Sequence, residues 1–246
     1  MTRTLRSRCC LPKYCHLKKL NILILCVFLF SLPCYAQDAG NDADIAHAIH
    51  SPFYMTVRGG ALIPHPLFNS AFRRSFDGVY AAGISVNAQI YKGFTLGLMY
   101  KNSEFQVPAN KIARLYTKEQ YNTGGIRLGY DYFLSKVTVF SSSISAGHCE
   151  MFAYDVSPTT AGFDAHPTDR GFYFEPELAM SFYTEDNFAI GFNVAYEIIT
   201  NQFDPYKLAL DQHGISYSTG DLRGFTQNVS VGFHFVCAFW KRGRKK

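Results

Sequence analysis

The segment Phe172-Tyr173-Phe174-Glu175-Pro176-Glu177-Leu178-Ala179-Met180-Ser181-Phe182 is followed by Glu185-Asp186. Then comes Phe188-Ala189-Ile190-Gly191-Phe192-Asn193-Val194-Ala195-Tyr196-Glu197-Ile198. In both runs the even positions are bulky and apolar, and most odd ones carry Glu, Ala, Ser, Gly or Asn. A period of two places successive side chains on opposite faces of a strand, so each run has one apolar face and one different face. The short acidic link between them is a tight turn, which makes the pair an antiparallel hairpin. Runs of this length suit a strand that crosses a bilayer, about 9–11 residues, better than a soluble strand of about 5–6.

The same phase recurs in Phe94–Lys101, with bulky even positions, and in Val229–Phe235, with bulky odd ones. Working outward, the sequence predicts eight strands at roughly 53–64, 79–91, 94–105, 120–133, 136–149, 171–184, 187–200 and 226–240. Long connections (65–78, 106–119, 150–170, 201–225) alternate with short ones (Lys92-Gly93, Leu134-Ser135, Glu185-Asp186). Consecutive antiparallel strands put alternate connections at opposite ends. All long loops therefore lie at one end and all tight turns at the other, the layout of an outer-membrane barrel.

Composition agrees. Of 246 residues, 48% are hydrophobic, 16% aromatic and only 17% charged, against about 25% charged in an average domain. Twenty-two Phe, 16 Tyr and 19 Gly exclude a disordered chain and disfavour a helical bundle. The net charge of +5 belongs to the ends. Residues 1–36 hold six basic and no acidic residues, and 241–246 hold five basic ones. The remainder carries 13 basic against 19 acidic residues, so a nucleic-acid partner is not expected.

Residues 1–36 read as an export signal. Lys18 and Lys19 precede the apolar run Ile22–Phe30, and Cys34-Tyr35-Ala36 precedes a polar start. An uncleaved anchor is disfavoured because the run is short of the roughly 20 residues of a membrane helix. A lipidated Cys34 is disfavoured by Pro33. Beyond the signal two cysteines remain, Cys149 and Cys237, either as one disulfide or as two packing thiols.

This pattern over residues 53–240 resembles the small OmpA/OmpX-like outer-membrane β-barrels. Such proteins end in an assembly signal of polar, any, Gly, any, any, aromatic, any, aromatic. Ser230, Gly232 and Phe235 match it in Ser230–Cys237; Cys237 stands at the second aromatic position, with Phe239 two residues on. The resemblance implies an all-β, eight-stranded antiparallel up-and-down transmembrane barrel in the outer membrane of a Gram-negative cell. It makes 37–52 a short periplasmic segment and 241–246 a basic periplasmic tail. Implied partners are outer-membrane lipid, lipopolysaccharide and the barrel-assembly machinery, with no cofactor and a monomeric state.

A soluble barrel of the lipid-binding kind would turn its bulky face inward. Two features favour the membrane. The small face is too poor in charge to be solvated. Aromatics gather near the short turns (Phe53, Tyr54, Tyr91, Phe94, Tyr130, Tyr132, Phe133, Phe182, Tyr183, Phe188, Phe239, Trp240), like an interfacial girdle.

With bulky faces on lipid, the lumen receives Arg58, Lys101, Arg127, Asp131, Glu175, Glu177, Glu197 and His234. A turn centred on Asp186 makes Glu175 and Glu197 cross-strand neighbours, and two adjacent carboxylates need cations or a shared proton. A glycosidase also pairs carboxylates, but eight strands leave an interior just filled by side chains. The expected role is a mutually satisfied charge network. A lipid A-modifying enzyme is the rival reading. His213-Gly214-Ile215-Ser216 lies in a loop with the wrong spacing, and His148 and Cys149, adjacent on a strand, point to opposite faces. No catalytic residue and no metal site is assigned. Loop 150–170 holds Tyr154, Asp155, Phe163, Asp164, His166 and Asp169, with a weak metal signal in the last three acidic and imidazole groups. Loop 201–225 holds Phe203, Asp204, Tyr206, His213, Tyr217 and Asp221. The sequence leaves a structural, a surface-binding and a small-solute permeation role open.

Overall fold

The computed structural model describes residues 53–240 apart from 69, 109–115, 136, 157–163, 202, 209, 211–215 and 223. The expected signal, the segment 37–52, the basic tail and His213 lie outside the described residues. The strands are β1 (Phe53–Leu67), β2 (Asp77–Tyr91), β3 (Phe94–Gln106), β4 (Tyr116–Phe133), β5 (Thr138–Val156), β6 (Asp164–Glu185), β7 (Phe188–Ile199) and β8 (Thr226–Trp240). A short helix, α1 (Ser70–Ser75), follows β1, and a 3-10 turn (Pro205–Leu208) lies between β7 and β8.

All neighbours pair antiparallel in chain order, and β8 closes on β1 from Phe53↔Trp240 to Leu67↔Gln227. Closure removes both sheet edges, which an apolar environment requires because it offers no water to unpaired backbone groups. Lys92 and Gly93 both have positive φ (35° and 92°), the conformation that lets a two-residue link match the twist of its strands. A side chain at 93 would also meet the Asp131 carbonyl at 2.8 Å. At the β4–β5 turn, Ser135 Oγ accepts from the amides of Val137 (3.2 Å) and Thr138 (3.0 Å).

The long-loop end differs from expectation. β4 starts at Tyr116, β5 runs on to Val156 and β6 begins at Asp164. Most of the expected loop 150–170 is therefore a paired hairpin (Met151↔Asp169, Asp155↔Asp164). Asp164, His166 and Asp169 are residues of β6 rather than of a loop. The β6–β7 turn falls one residue later than expected, at Asp186-Asn187.

The faces are sorted sharply. Leu98, Phe172 and Phe233 are 69%, 70% and 73% exposed, and they continue into a band with Ile84, Val86, Leu96, Ile126, Leu128, Phe174, Phe192, Val194 and Phe235. Many of the buried strand residues are polar or charged, among them Ser85, Asn87, Lys101, Arg127, Ser143, Glu175 and Glu177. This inversion of inside and outside overturns the soluble lipid-binding alternative, because a water-soluble chain does not expose so large a continuous apolar surface. Toward the long loops the outer face turns polar. Tyr80 donates to Asn102 (3.1 Å), Tyr100 donates to Asn122 (3.2 Å), and Asn102 donates to Asn122 (2.6 Å). Above them Lys118 pairs with Glu104 (2.9 Å) and Arg170 with Glu150 (3.2 Å).

Candidate functional site: the barrel interior

Every inward position belongs to one phase of its strand, so the interior can be read rung by rung. The middle is ionic. From β1, Arg58 Nη1 donates to Glu177 Oε1 at 3.1 Å and Nη2 to Ser141 at 3.1 Å; Ser141 in turn donates to Asp131 at 2.6 Å. From β4, Arg127 grips Glu177 with both terminal nitrogens (2.7 and 3.2 Å). From β3, Lys101 bonds Glu175 and lies 3.1 Å from Glu197. Tyr173↔Ile199 and Glu177↔Ala195 fix the β6–β7 register, which sets Glu175 and Glu197 on the same level. Asn228 also donates to Glu197 at 3.5 Å. His234 faces Ser181 at 2.8 Å.

All eight residues expected in the lumen thus point inward, and ion pairs run from β1, β3 and β4 across to β6 and β7. Three cations meet four carboxylates. These pairs are buried, so each lone charge would be costly, and members can be removed only at a penalty.

The tight-turn end carries an inward aromatic cluster. Phe53 stacks on Tyr183 at 5.2 Å and lies 6.2 Å from Phe133. Three residues expected in an outer girdle are therefore inside. Phe133 and Tyr183 share the phase of Arg127 and Glu177. Phe53 is turned inward by an irregularity between Phe53 and Met55. Tyr54–Phe239, Phe94–Tyr130 and Phe188–Phe235 remain as ring pairs of the wall.

The long-loop end is closed, by a feature the sequence reading missed. The inward phase becomes apolar here: Phe105, Tyr121, Met151, Tyr173 and Ile199. Into this chamber α1 inserts Phe72 and Phe76, and the last long loop inserts Phe203 and Leu210. Phe72 meets Phe105 (5.1 Å), Phe203 (5.3 Å) and Tyr121 (5.9 Å) edge to face. Arg74 binds Asp221 at 3.1 Å and Ser75 Oγ shares a hydrogen bond of 2.7 Å with Tyr217, so the two loops lock over the mouth. The signal was present in the phase of the strands: Phe105 follows Lys101, and Tyr121 precedes Arg127, at even spacing.

Other candidates stay apart. Cys149 is buried on the inner face and Cys237 is exposed on the outer one; both are free, and the wall between them prevents their pairing. His148 points outward, half exposed and 3.9 Å from Glu150, so it does not address the buried Cys149. Among the described residues no group of three or more His, Cys, Asp or Glu is arranged to hold a metal. Of the expected assembly signal, Ser230 is buried, Gly232 leaves room for the Ala61 carbonyl, and Phe235 and Phe239 are exposed on the outer wall.

No protein-family model and no curated protein sequence matches the chain. Solved structures do. The chain is similar to Neisserial surface protein A (10% identity, TM-score 0.48, covering 75% of this chain and 97% of that one). It is also similar to the outer-membrane protein OprG of Pseudomonas aeruginosa (14%, 0.44, 77% and 98%). A third is the outer-membrane protease OmpT of Escherichia coli (9%, 0.37, 76% and 94%). The last two are named as outer-membrane proteins and the first as a surface protein.

Proposed function

We propose that this chain is a non-enzymatic outer-membrane barrel, closed to solutes, whose function resides in surface binding at its long-loop end. The observation that carries the reading is the interior itself. Ion pairs from Arg58, Lys101 and Arg127 cross the lumen, and aromatic clusters lie at both ends. A solute pore needs an aqueous path, whereas an eight-stranded barrel has an interior filled by its own side chains. The apolar outer band supports the membrane, and the alternation of tight turns and long loops supports placing the loops outside the cell. Lipid and lipopolysaccharide are the partners of the band and its polar rim, and the unit acts as a monomer.

The chemistry for the rival enzymatic reading is not assembled: the His148 and Cys149 side chains lie on opposite sides of the wall. Two measurements test the proposal. Folded protein should run differently from boiled protein on a gel and need detergent to stay soluble. In planar bilayers it should give no steady conductance; stepwise, ohmic channels would overturn the closed-lumen reading and restore permeation.

A further inference from the structure

The ion pairs in the middle of the lumen enclose a cavity of about 40 Å³. The wall beside it is bare. Gly60 and Gly83 are partners across β1 and β2, and Gly60 is also the partner of His234 on β8. A water needs roughly 10–15 Å³ of such space, so the cavity has room for about three. Three lining residues each carry a buried polar atom with no hydrogen-bond partner among the described residues: Arg58 Nε, Asn193 Oδ1 and His234 Nδ1. They come from β1, β7 and β8, and Asn193 and His234 are 4% and 1% exposed. Their other contacts are already made. The second ring nitrogen of His234 faces Ser181 at 2.8 Å, and the terminal nitrogens of Arg58 donate to Glu177 and Ser141.

A buried polar atom without a partner is costly. Three of them around one polar cavity call for a shared partner, and their chemistry says which. Arg58 Nε can only donate, and Asn193 Oδ1 can only accept. An inorganic cation would serve the second alone and a halide the first alone. Water serves both, and a buried water makes about three hydrogen bonds. We propose that this cavity binds a small cluster of waters, which join Arg58, Asn193 and His234 into the ion network, while the aromatic chamber above it holds none. The inference goes beyond the surface-binding reading and does not rest on it. Water held beneath a shut roof leaves the lumen closed to solutes.

Two methionines supply a matched comparison. Met99 on β3 and Met151 on β5 are both buried, and both sulfurs accept a hydrogen bond, from Tyr173 and Asn201. Met99 lines the cavity, whereas Met151 is packed with the aromatics of the outer chamber. Hydroxyl radicals made by X-ray radiolysis of water attack side chains that touch water. In the full chain folded in detergent micelles, peptide mass spectrometry should show Met99 and His234 oxidised several-fold faster than Met151. Asn193→Leu puts an apolar branch into the cavity and should slow oxidation of Met99 and His234 to the Met151 rate. Equal rates for Met99 and Met151 in the wild type, or unchanged oxidation of Met99 and His234 in Asn193→Leu, would overturn the proposal. Should Asn193→Leu fail to fold, the wild-type ratio of Met99 to Met151 decides alone.

Discussion

The middle of the lumen and its outer mouth are built on the same strands and in the same inward phase, yet they are held by opposite physics. In the middle, Arg58, Lys101 and Arg127 reach across to Glu175, Glu177 and Glu197. Each end of every ion pair is anchored in the wall. At the mouth, Phe105, Tyr121, Met151 and Ile199 are covered by Phe72, Phe76 and Phe203, which are carried on loops. Failure of a wall-anchored pair strands a buried charge inside the barrel and strains the whole closed sheet. Failure of a loop-borne contact lets one segment lift while the barrel stays closed. The middle should therefore be part of global stability and the mouth a locally opening unit.

The sharpest test of that contrast is Arg127→Ala. Arg127 is 5% exposed and holds both oxygens of Glu177. Removing one partner of a buried pair costs about 3–5 kcal/mol. Urea unfolding of the folded barrel should shift by that amount, and unchanged unfolding would mean that the middle is not a network. Replacing both ends, Arg127→Met with Glu177→Leu, should recover only part of the loss, because Glu177→Leu also strips Arg58 of its 3.1 Å partner.

Phe72→Ala probes the other side. Truncating a buried Phe costs about 3–5 kcal/mol when the site cannot collapse. Here the loss should appear as faster hydrogen exchange confined to residues 70–76 and 203–222, with the urea midpoint moved far less than in Arg127→Ala. Equal shifts in both variants would dissolve the distinction between the two regions.

Acidity gives a smaller, directional effect at the mouth. Glu119 lies beyond Asn122, where the outer face has left the apolar band, and its acid is raised from an ordinary 4.5 to about 8 by burial, with Asp169 adding to the rise and Tyr121 opposing it. The closed mouth thus holds a proton that the open mouth releases. Closure is strongest below about pH 4.5 and weakens as pH rises toward 8. Exchange in residues 70–76, corrected for its intrinsic pH dependence, should rise over that window and level off above it. The trend should vanish in Glu119→Gln.

How much of this was legible in the sequence follows from where each residue is carried. The strands and the lumen charges were readable because alternation fixes a face, and a charge on the small face has only one place to go. Asp131 and His234 were found this way. The same rule also applied to Phe133 and Tyr183, which share the phase of Arg127 and Glu177 but were grouped with an outer girdle because aromatics near turns suggest an interface. Phe53 was not readable, since a local irregularity reverses its face. The roof was not readable either. Phe72 and Phe203 come from connections without a period, and only tertiary packing decides that they fold inward over the strands.

The smallest expected effect is the most discriminating for the roof. Arg74→Ala removes the 3.1 Å ion pair to Asp221, but Arg74 is more than half exposed, so solvent already screens the pair. Exposed pairs contribute about 0–1 kcal/mol. Asp221 keeps the amide and hydroxyl of Ser218 at 2.9 and 2.8 Å, so it is not left bare by the change. Global unfolding in urea should therefore stay within error of the wild type. The clasp, however, joins two segments that Ser75 and Tyr217 also link, at 2.7 Å. A loss of even about 0.5 kcal/mol in closure corresponds to roughly a twofold change in the open population, which exchange in residues 70–76 can resolve. The combination expected is an unmoved urea midpoint with a roughly twofold rise in local exchange, abolished by 1 M salt, where wild type and variant should coincide. A shifted midpoint would place α1 in the cooperative core. An unchanged exchange rate would assign the closure to Phe72, Phe76 and Phe203 alone.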